Sequence, residues 1–240
     1  MTAVGYQHYL DVASARDVPT FKRRIGEFAQ RLDFPLFNAT LVVEQPAARP
    51  FIVDLRNTPE AWTSSSTDGD SARRDPIVQR LKTASAPILY DQALYVNHAA
   101  GDLWEEQAPF GYHTGISMVL HLNAGRHFIL GVDRSDPLPS DQDNLIRLMA
   151  DLQLLAVYAQ ETAFRLMLPQ APLDQALPTL SARELEILKW TLVGKSNQVI
   201  GQLLNISLST VNFHLRSAMG KLGVASKHQA AAKAQSLGLI

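Results

Sequence analysis

Four serines set what the last third of this chain can fold into. Ser181, Ser196, Ser207 and Ser226 each stand at the head of a run with helical periodicity, and a serine hydroxyl there accepts from a backbone N–H that the first turn leaves open. Ser181 and Glu184 have capping-box spacing, in which each side chain satisfies the other residue's backbone donor. Gly238 closes the last run. Only Asn205-Ile206-Ser207 separates the second run from the third, which is the spacing of a helix-turn-helix. The sequence therefore predicts an all-α, four-helix domain with a helix-turn-helix over residues 180–240.

The third run, LSTVNFHLRSAMGKL, divides into two faces when it is turned by about 100° per residue. Val211, Leu215, Ala218 and Leu222 form one apolar stripe, with Leu208 and Met219 at its margin. Opposite lie Ser209, Asn212, Phe213, Arg216 and Gly220. An Arg can grip guanine through two hydrogen bonds, an Asn can do so for adenine, and an aromatic edge can meet a thymine methyl. Lys195, Lys221 and Lys227 suit phosphates, which fix register without reading sequence. A merely solvated face would not carry an exposed Phe.

The net charge of −1 conceals a division that supports this reading. Residues 171–240 hold seven Lys/Arg against three acids, while residues 1–170 hold 15 against 20. After Glu186 there is no Asp or Glu, so the C-terminal region offers a basic surface to a polyanion. Double-stranded DNA is the expected partner.

Prolines at 169, 172 and 178 place a linker at 169–179, between this domain and an N-terminal one over 1–168. The N-terminal part mixes helical and alternating patterns. Phe21, Ile25, Phe28 and Leu32 share a helical face, as do Leu145, Leu148, Met149, Leu152 and Leu155 after the start signal Pro139-Ser140-Asp141. Strand-like runs lie at 37–45, 51–55, 115–122 and 126–133, the last two joined by the hairpin signal Asn123-Ala124-Gly125. Helices on either side of an antiparallel sheet predict an α+β domain built as an α-β-α sandwich, an architecture that can hold a small-molecule cavity between sheet and helices.

Other chemistries find no support. The chain has no cysteine, hence no disulfide or thiolate metal site, and no apolar run of membrane-spanning length or secretory signal pattern, so we expect a cytoplasmic protein that enters no membrane. Gly194-Lys195-Ser196 is not a phosphate loop, because the first glycine of that motif would fall on Lys189. His121 and His127 face each other across the hairpin, and two histidines are too few for a metal site. No nucleophile elbow, zinc-protease or dinucleotide motif occurs, so we expect no enzyme and no cofactor or metal.

From Leu180 to Ile240, the segments LSARELEILKW, GKS, ISLSTVNFHLRSAMGKLGV and AAAKAQSLGLI resemble the DNA-binding domain of LuxR-type transcription factors, with Glu184, Leu188 and Gly194 at family positions. Val199 stands where that family has an acid and Gly201 where it has alanine, and both are expected to cost helix stability. Upstream, Trp62, Asp75-Pro76 and Gly115 in HTGIS resemble the autoinducer-binding domain of quorum-sensing LuxR proteins. The resemblance implies a homodimer, paired through the helix at 141–167, that senses an N-acyl-homoserine lactone. Trp62 would donate to the lactone carbonyl and Asp75 would accept from the ligand amide. Four pocket positions depart from the family: Thr58 and Ser66 replace tyrosines, Tyr90 replaces tryptophan, and Gly131 replaces a Ser or Thr. The three replaced aromatics predict a roomier or reshaped cavity, and the four departures leave open a regulator that answers to a non-lactone molecule or to none.

Overall fold

The computed structural model describes residues 4–44, 50–58, 69–168 and 179–240, in two compact units divided after residue 168. Most of the segment predicted to be a linker, residues 169–178, lies outside the described residues.

The first unit opens with α1 (Tyr6–Ala13) and α2 (Val18–Arg31). Asp17 starts α2 by accepting from the Thr20 backbone N–H at 2.7 Å, with Pro19 in the first turn where no donor is needed. Strands β1 (Leu36–Val43) and β2 (Phe51–Arg56) follow, then the short helices α3 (Gly69–Arg74) and α4 (Pro76–Leu81), strand β3 (Ile88–Tyr90), helices α5 (Gln92–Asn97) and α6 (Gly101–Gln107), and strands β4 (Thr114–Leu122) and β5 (Arg126–Arg134). A 26-residue helix, α7 (Gln142–Met167), completes the unit and is capped by Asp141.

The five strands form one antiparallel sheet in the order β2-β1-β5-β4-β3. Ala124 and Gly125 both take positive φ, near 64°, in the turn that joins β4 to β5. Strand alternation sends alternate residues to opposite faces. Phe37, Ala39 and Leu41 of β1, Ile116 and Met118 of β4, and Phe128, Leu130 and Val132 of β5 meet Phe21, Ile25 and Phe28 of α2 and Leu148, Leu152 and Leu155 of α7 in the main core. Burying each large apolar side chain contributes roughly 1.5–3 kcal/mol. On the other face, Ile88, Tyr90, Val119 and Ile129 pack with Ile77, Leu81, Tyr95 and Leu103 of the short helices. The first unit is thus the α-β-α sandwich that the two periodicities predicted.

The second unit contains α8 (Ala182–Leu192), α9 (Asn197–Leu204), α10 (Leu208–Leu222) and α11 (Lys227–Ser236). Each of the four serines caps its helix: the side chain accepts from the N–H of Glu184, Val199, Thr210 and Gln229 in turn. Asn205 ends α9 in the left-handed region at φ 51°, which sets the sharp turn into α10. Ile187, Leu188, Ile200, Val211, Leu215, Ala218 and Leu222 close the core with the alanines of α11.

One expectation needs correction here. Gly201 is not simply a weak helix former in place of alanine. A Cβ at that position would lie 2.8 Å from the Ile206 carbonyl oxygen, so the missing side chain is what lets the turn close against α9.

Candidate functional site

Two rows of residues cross the sheet on the face covered by α4, α5 and α6. The pairing register places Asn38, Gly131, Ser117 and Ile88 in one row, on β1, β5, β4 and β3. The next row holds Asp133, Gly115 and Tyr90 on β5, β4 and β3. Each row contains a glycine, and each glycine opens space that its neighbours use.

At Gly115, an added Cβ would meet the Tyr90 ring and lie 2.6 Å from the Val132 carbonyl oxygen. The bare backbone lets Tyr90 cross over β4 and donate its hydroxyl hydrogen to Asp133 on β5, one strand further on. At Gly131, an added Cβ would lie 2.7 Å from Asn38 Oδ1 and 3.0 Å from Ser117 Oγ. The space above Gly131 is therefore crowded by polar atoms of Asn38 and Ser117 from the two flanking strands.

Asp133 is fully buried. Burial pushes its carboxyl up to about 7; the Tyr90 hydrogen bond opposes the rise and the nearby charge of Asp75 adds to it. Asp75 occupies the N-cap of α4, its Oδ1 accepting from Ile77 N–H at 2.7 Å and Val78 N–H at 3.2 Å. Burial raises its carboxyl above the usual range against the pull of those two amides. The Tyr95 hydroxyl faces both Asp75 and Gln107. Four buried polar atoms around this face have no hydrogen-bond partner: Asp133 Oδ2, Asn38 Oδ1, Gln107 Nε2 and Thr58 Oγ1. Such orphans are rare in folded proteins and mark a place where a further group belongs.

Farther along the same face, an apolar cavity of about 290 Å³ opens beneath Val119 and Ile129, with Val78 and Leu81 of α4 as its cover and His121 and His127 at its edge. The two imidazoles hydrogen-bond through their Nδ1 atoms at 2.9 Å, and His121 also meets the Ala84 carbonyl oxygen. Among the described residues no cluster of three or more metal-binding side chains occurs.

Of the residues singled out in the sequence for this site, Tyr90 and Gly131 lie in the two polar rows, Asp75 sits among the covering helices, and Thr58 follows β2 with its hydroxyl buried. Trp62 and Ser66 lie outside the described residues. Asp133, Asn38, Ser117, Tyr95 and Gln107 went unnoticed. The signal for Asp133 was present: in RHFILGVDR, Phe128, Leu130 and Val132 define the core face, and alternation then assigns the acid to the opposite, covered face.

In the second unit, α10 buries Val211, Leu215, Ala218 and Leu222 as its periodicity required, whereas Leu208 is half exposed. Ser209, Phe213 and Arg216 are exposed, as is Lys195 ahead of α9. Phe213 is 63% accessible, an unusual position for a large aromatic. Asn212 is half-buried, and its amide oxygen accepts from Asn197 Nδ2 at 2.8 Å. Lys227 donates to the other end of that asparagine, at 2.7 Å from Asn197 Oδ1. This chain of contacts fixes Asn212 from behind and leaves its amide N–H groups as the end available to a partner.

Lys221 is engaged elsewhere. Its ammonium lies 3.0 and 2.8 Å from the two Glu184 carboxylate oxygens, and Ser217 donates to the same group at 2.6 Å. Glu184, only 3% exposed, also closes the capping box with Ser181 N–H at 2.7 Å. Lys221 thus locks α10 to the start of α8, with its side chain still 40% exposed. Burial alone would raise the Glu184 carboxyl, but the hydrogen bonds from Lys221, Ser217 and Ser181 hold it at about 2.

Comparison with known proteins agrees with both halves of this geometry. The family described as "Autoinducer binding domain" matches residues 17–163, more than half of the chain, and "Bacterial regulatory proteins, luxR family" matches residues 178–234. The transcriptional activator protein AhyR of Aeromonas hydrophila is 28% identical over 231 residues, covering 95% of this chain and 88% of its own. The regulatory protein SdiA of Escherichia coli is 29% identical over 220 residues, 88% of this chain and 86% of its own. The structure of SdiA in complex with octanoyl-rac-glycerol superposes with a TM-score of 0.74 at 25% identity, covering 100% of this chain and 98% of that one. The chain belongs to the LuxR family of bacterial regulatory proteins, as a DNA-binding transcriptional regulator that carries an autoinducer-binding domain rather than as an enzyme.

Proposed function

We propose that the N-terminal unit binds an amphiphilic signal molecule on the covered face of its sheet, and that occupancy controls DNA binding by the C-terminal unit. The observation that carries this reading is the joining, on one sheet face, of buried polar atoms without partners and an apolar cavity. The polar rows suit the head of such a molecule and the cavity beneath Ile129 suits its chain. The N-acyl-homoserine lactones implied by the family resemblance have this division. By the same resemblance Asp75 would accept from the ligand amide and Trp62 would donate to the lactone carbonyl.

A second reading is a non-lactone signal, and one observation favours it: Asp133 adds a buried carboxylate to the polar row. SdiA, of the same family, is known in complex with an acylglycerol. Binding to the folded state stabilises it by roughly 2.7 kcal/mol at a hundredfold excess over Kd, enough to convert a short-lived receptor into a persistent one.

In the C-terminal unit, Arg216, Asn212, Phe213 and Ser209 face the major groove, and Lys195 and Lys227 contact phosphates. The protein acts as a cytoplasmic homodimer. Ile146, Leu154 and Val157 form an exposed apolar stripe on α7 that suits pairing with a second copy. Selection of bound duplexes from a random pool, with and without a lactone panel, tests both halves. The expected product is a two-fold symmetric site whose recovery rises with ligand, and Arg216→Ala should relax preference at one base step per half-site with a loss of about 1–3 kcal/mol. An unchanged consensus for Arg216→Ala would exclude that residue as a base reader.

A further inference from the structure

Asp133 makes the sensor site chemically asymmetric in a way that bears on which molecule fits it. Its carboxylate is fully buried, one oxygen takes the Tyr90 hydroxyl hydrogen, and the other has no partner. Tyr90 and Asp75 act on it directly, the Tyr95 and Tyr112 hydroxyls lie within electrostatic reach, and none of these groups is a cation. In the adjoining row, Asn38 Oδ1 is also a buried acceptor without a donor. The Asn38 amide lies over Gly131, where an added Cβ would come within 2.7 Å of this oxygen. Asp75 lies near enough to influence Asp133 electrostatically. Among the partnerless atoms of this face, the two acceptors Asp133 Oδ2 and Asn38 Oδ1 thus outnumber the single obligate donor, Gln107 Nε2, while the Thr58 hydroxyl can serve as either.

A homoserine lactone presents its ring as acceptors and offers one donor, the amide N–H. That donor matches one carboxylate and leaves the second without a donor from the ligand. A buried carboxylate without a donor or a cation is unfavourable, and a charge-assisted hydrogen bond to it is among the stronger ones available.

From the open Asp133 and Asn38 oxygens we infer that the ligand carries, beyond an amide N–H, a second hydrogen-bond donor at its head, a hydroxyl or a protonated amine, which Asp133 accepts. This inference rests on reading the covered sheet face as the signal site. Asp133 is then a specificity-determining residue of the site, Tyr90 holds it in place, and Gly115 provides the room for that arrangement. The polar rows and the apolar cavity lie along the same strand, since Ile129 of the cavity is on the same face of β5 as Gly131 and Asp133.

Titration calorimetry of the full chain with three amides that share an octanoyl group tests the inference. They are N-octanoyl-homoserine lactone, N-octanoylserinol with two hydroxyls, and N-(2-aminoethyl)octanamide with an ammonium. The wild-type chain should bind at least one of the donor-bearing amides about tenfold more tightly than the lactone, as expected for one added charge-assisted hydrogen bond. The identity of the tighter binder separates a neutral from a cationic head. In Asp133→Asn, which can still accept from Tyr90 while turning a donor toward the open side, that advantage should disappear. In Tyr90→Phe, which frees a second carboxylate oxygen, it should persist or grow, so the inference remains testable if one variant does not fold. Equal or tighter binding of the lactone, with an unchanged ranking in both variants, would overturn the second donor and leave the signal site standing. Failure of all three amides to bind the folded wild-type chain would overturn both.

Discussion

Glu184→Ala should destabilise the DNA-binding unit by about 2–3 kcal/mol and reduce DNA affinity through the position of α10. The estimate follows from the carboxyl itself, held at about 2 against an ordinary 4.5 in spite of burial. Each unit of such a shift is worth about 1.4 kcal/mol, and the figure is trimmed because the partner Lys221 is 40% exposed and partly screened by solvent. Three separate contacts end on this one group: the backbone of Ser181, the hydroxyl of Ser217 and the ammonium of Lys221. The first fixes the start of α8, and the other two fix α10, so their loss weakens a helix start and a helix position together. Because the carboxyl is lower in the folded state, its stabilisation is complete above about 4.5 and is lost as pH falls toward 2. In denaturant melts of the wild type and Glu184→Ala, the gap at pH 3 should therefore be about half the gap at neutral pH or less. An equal gap at both would remove the ion pair from the account.

The second large effect has the opposite sign. Asp133→Asn should stabilise the unliganded sensor unit at pH 8 by about 2 kcal/mol or more, by removing a carboxylate that is fully buried and on which no cation among the described residues acts. Here the folded-state carboxyl is raised from 3.8 to about 7, so the folded chain holds the proton longer than the unfolded chain does. The stability that Asp133 contributes is full below about 4, falls as pH rises to about 7 and is flat beyond. Asp75, raised in the same direction, keeps a smaller slope in the variant. The difference between Asp133→Asn and wild type should thus widen from pH 4 to pH 7. A difference that does not vary with pH would mean that Asp133 is not a strained carboxylate. A ligand that donates a hydrogen bond to Asp133 offsets the cost of burying it, and the folded state gains in proportion.

Much of this architecture could be read directly from residue order. The four capping serines located the C-terminal helices, and alternation in FNATLVVEQ and RHFILGVD located β1 and β5. The helix from Asp141 followed from its cap and its leucines. What escaped notice were α1, β3 and the short helices α3 to α6, each only three to eight residues long and so too short to establish a period.

The candidate site was legible where it used familiar residues and silent where it used geometry. Gly115 and Tyr90 were visible one at a time, but the reach of Tyr90 over Gly115 to Asp133 depends on three strands lying side by side. Lys221 shows the same limit. As a cation on a basic helix it reads as a phosphate contact, and only the approach of α8 assigns it to Glu184.

Native mass spectrometry of the chain purified from the bacterium that encodes it tests the central claim most directly. A signal receptor with an incomplete polar site and an adjoining apolar cavity should carry one small amphiphile per chain, released on unfolding and absent from the isolated C-terminal unit. A chain that is folded, binds its DNA site with full affinity and shows only its bare mass would contradict the account.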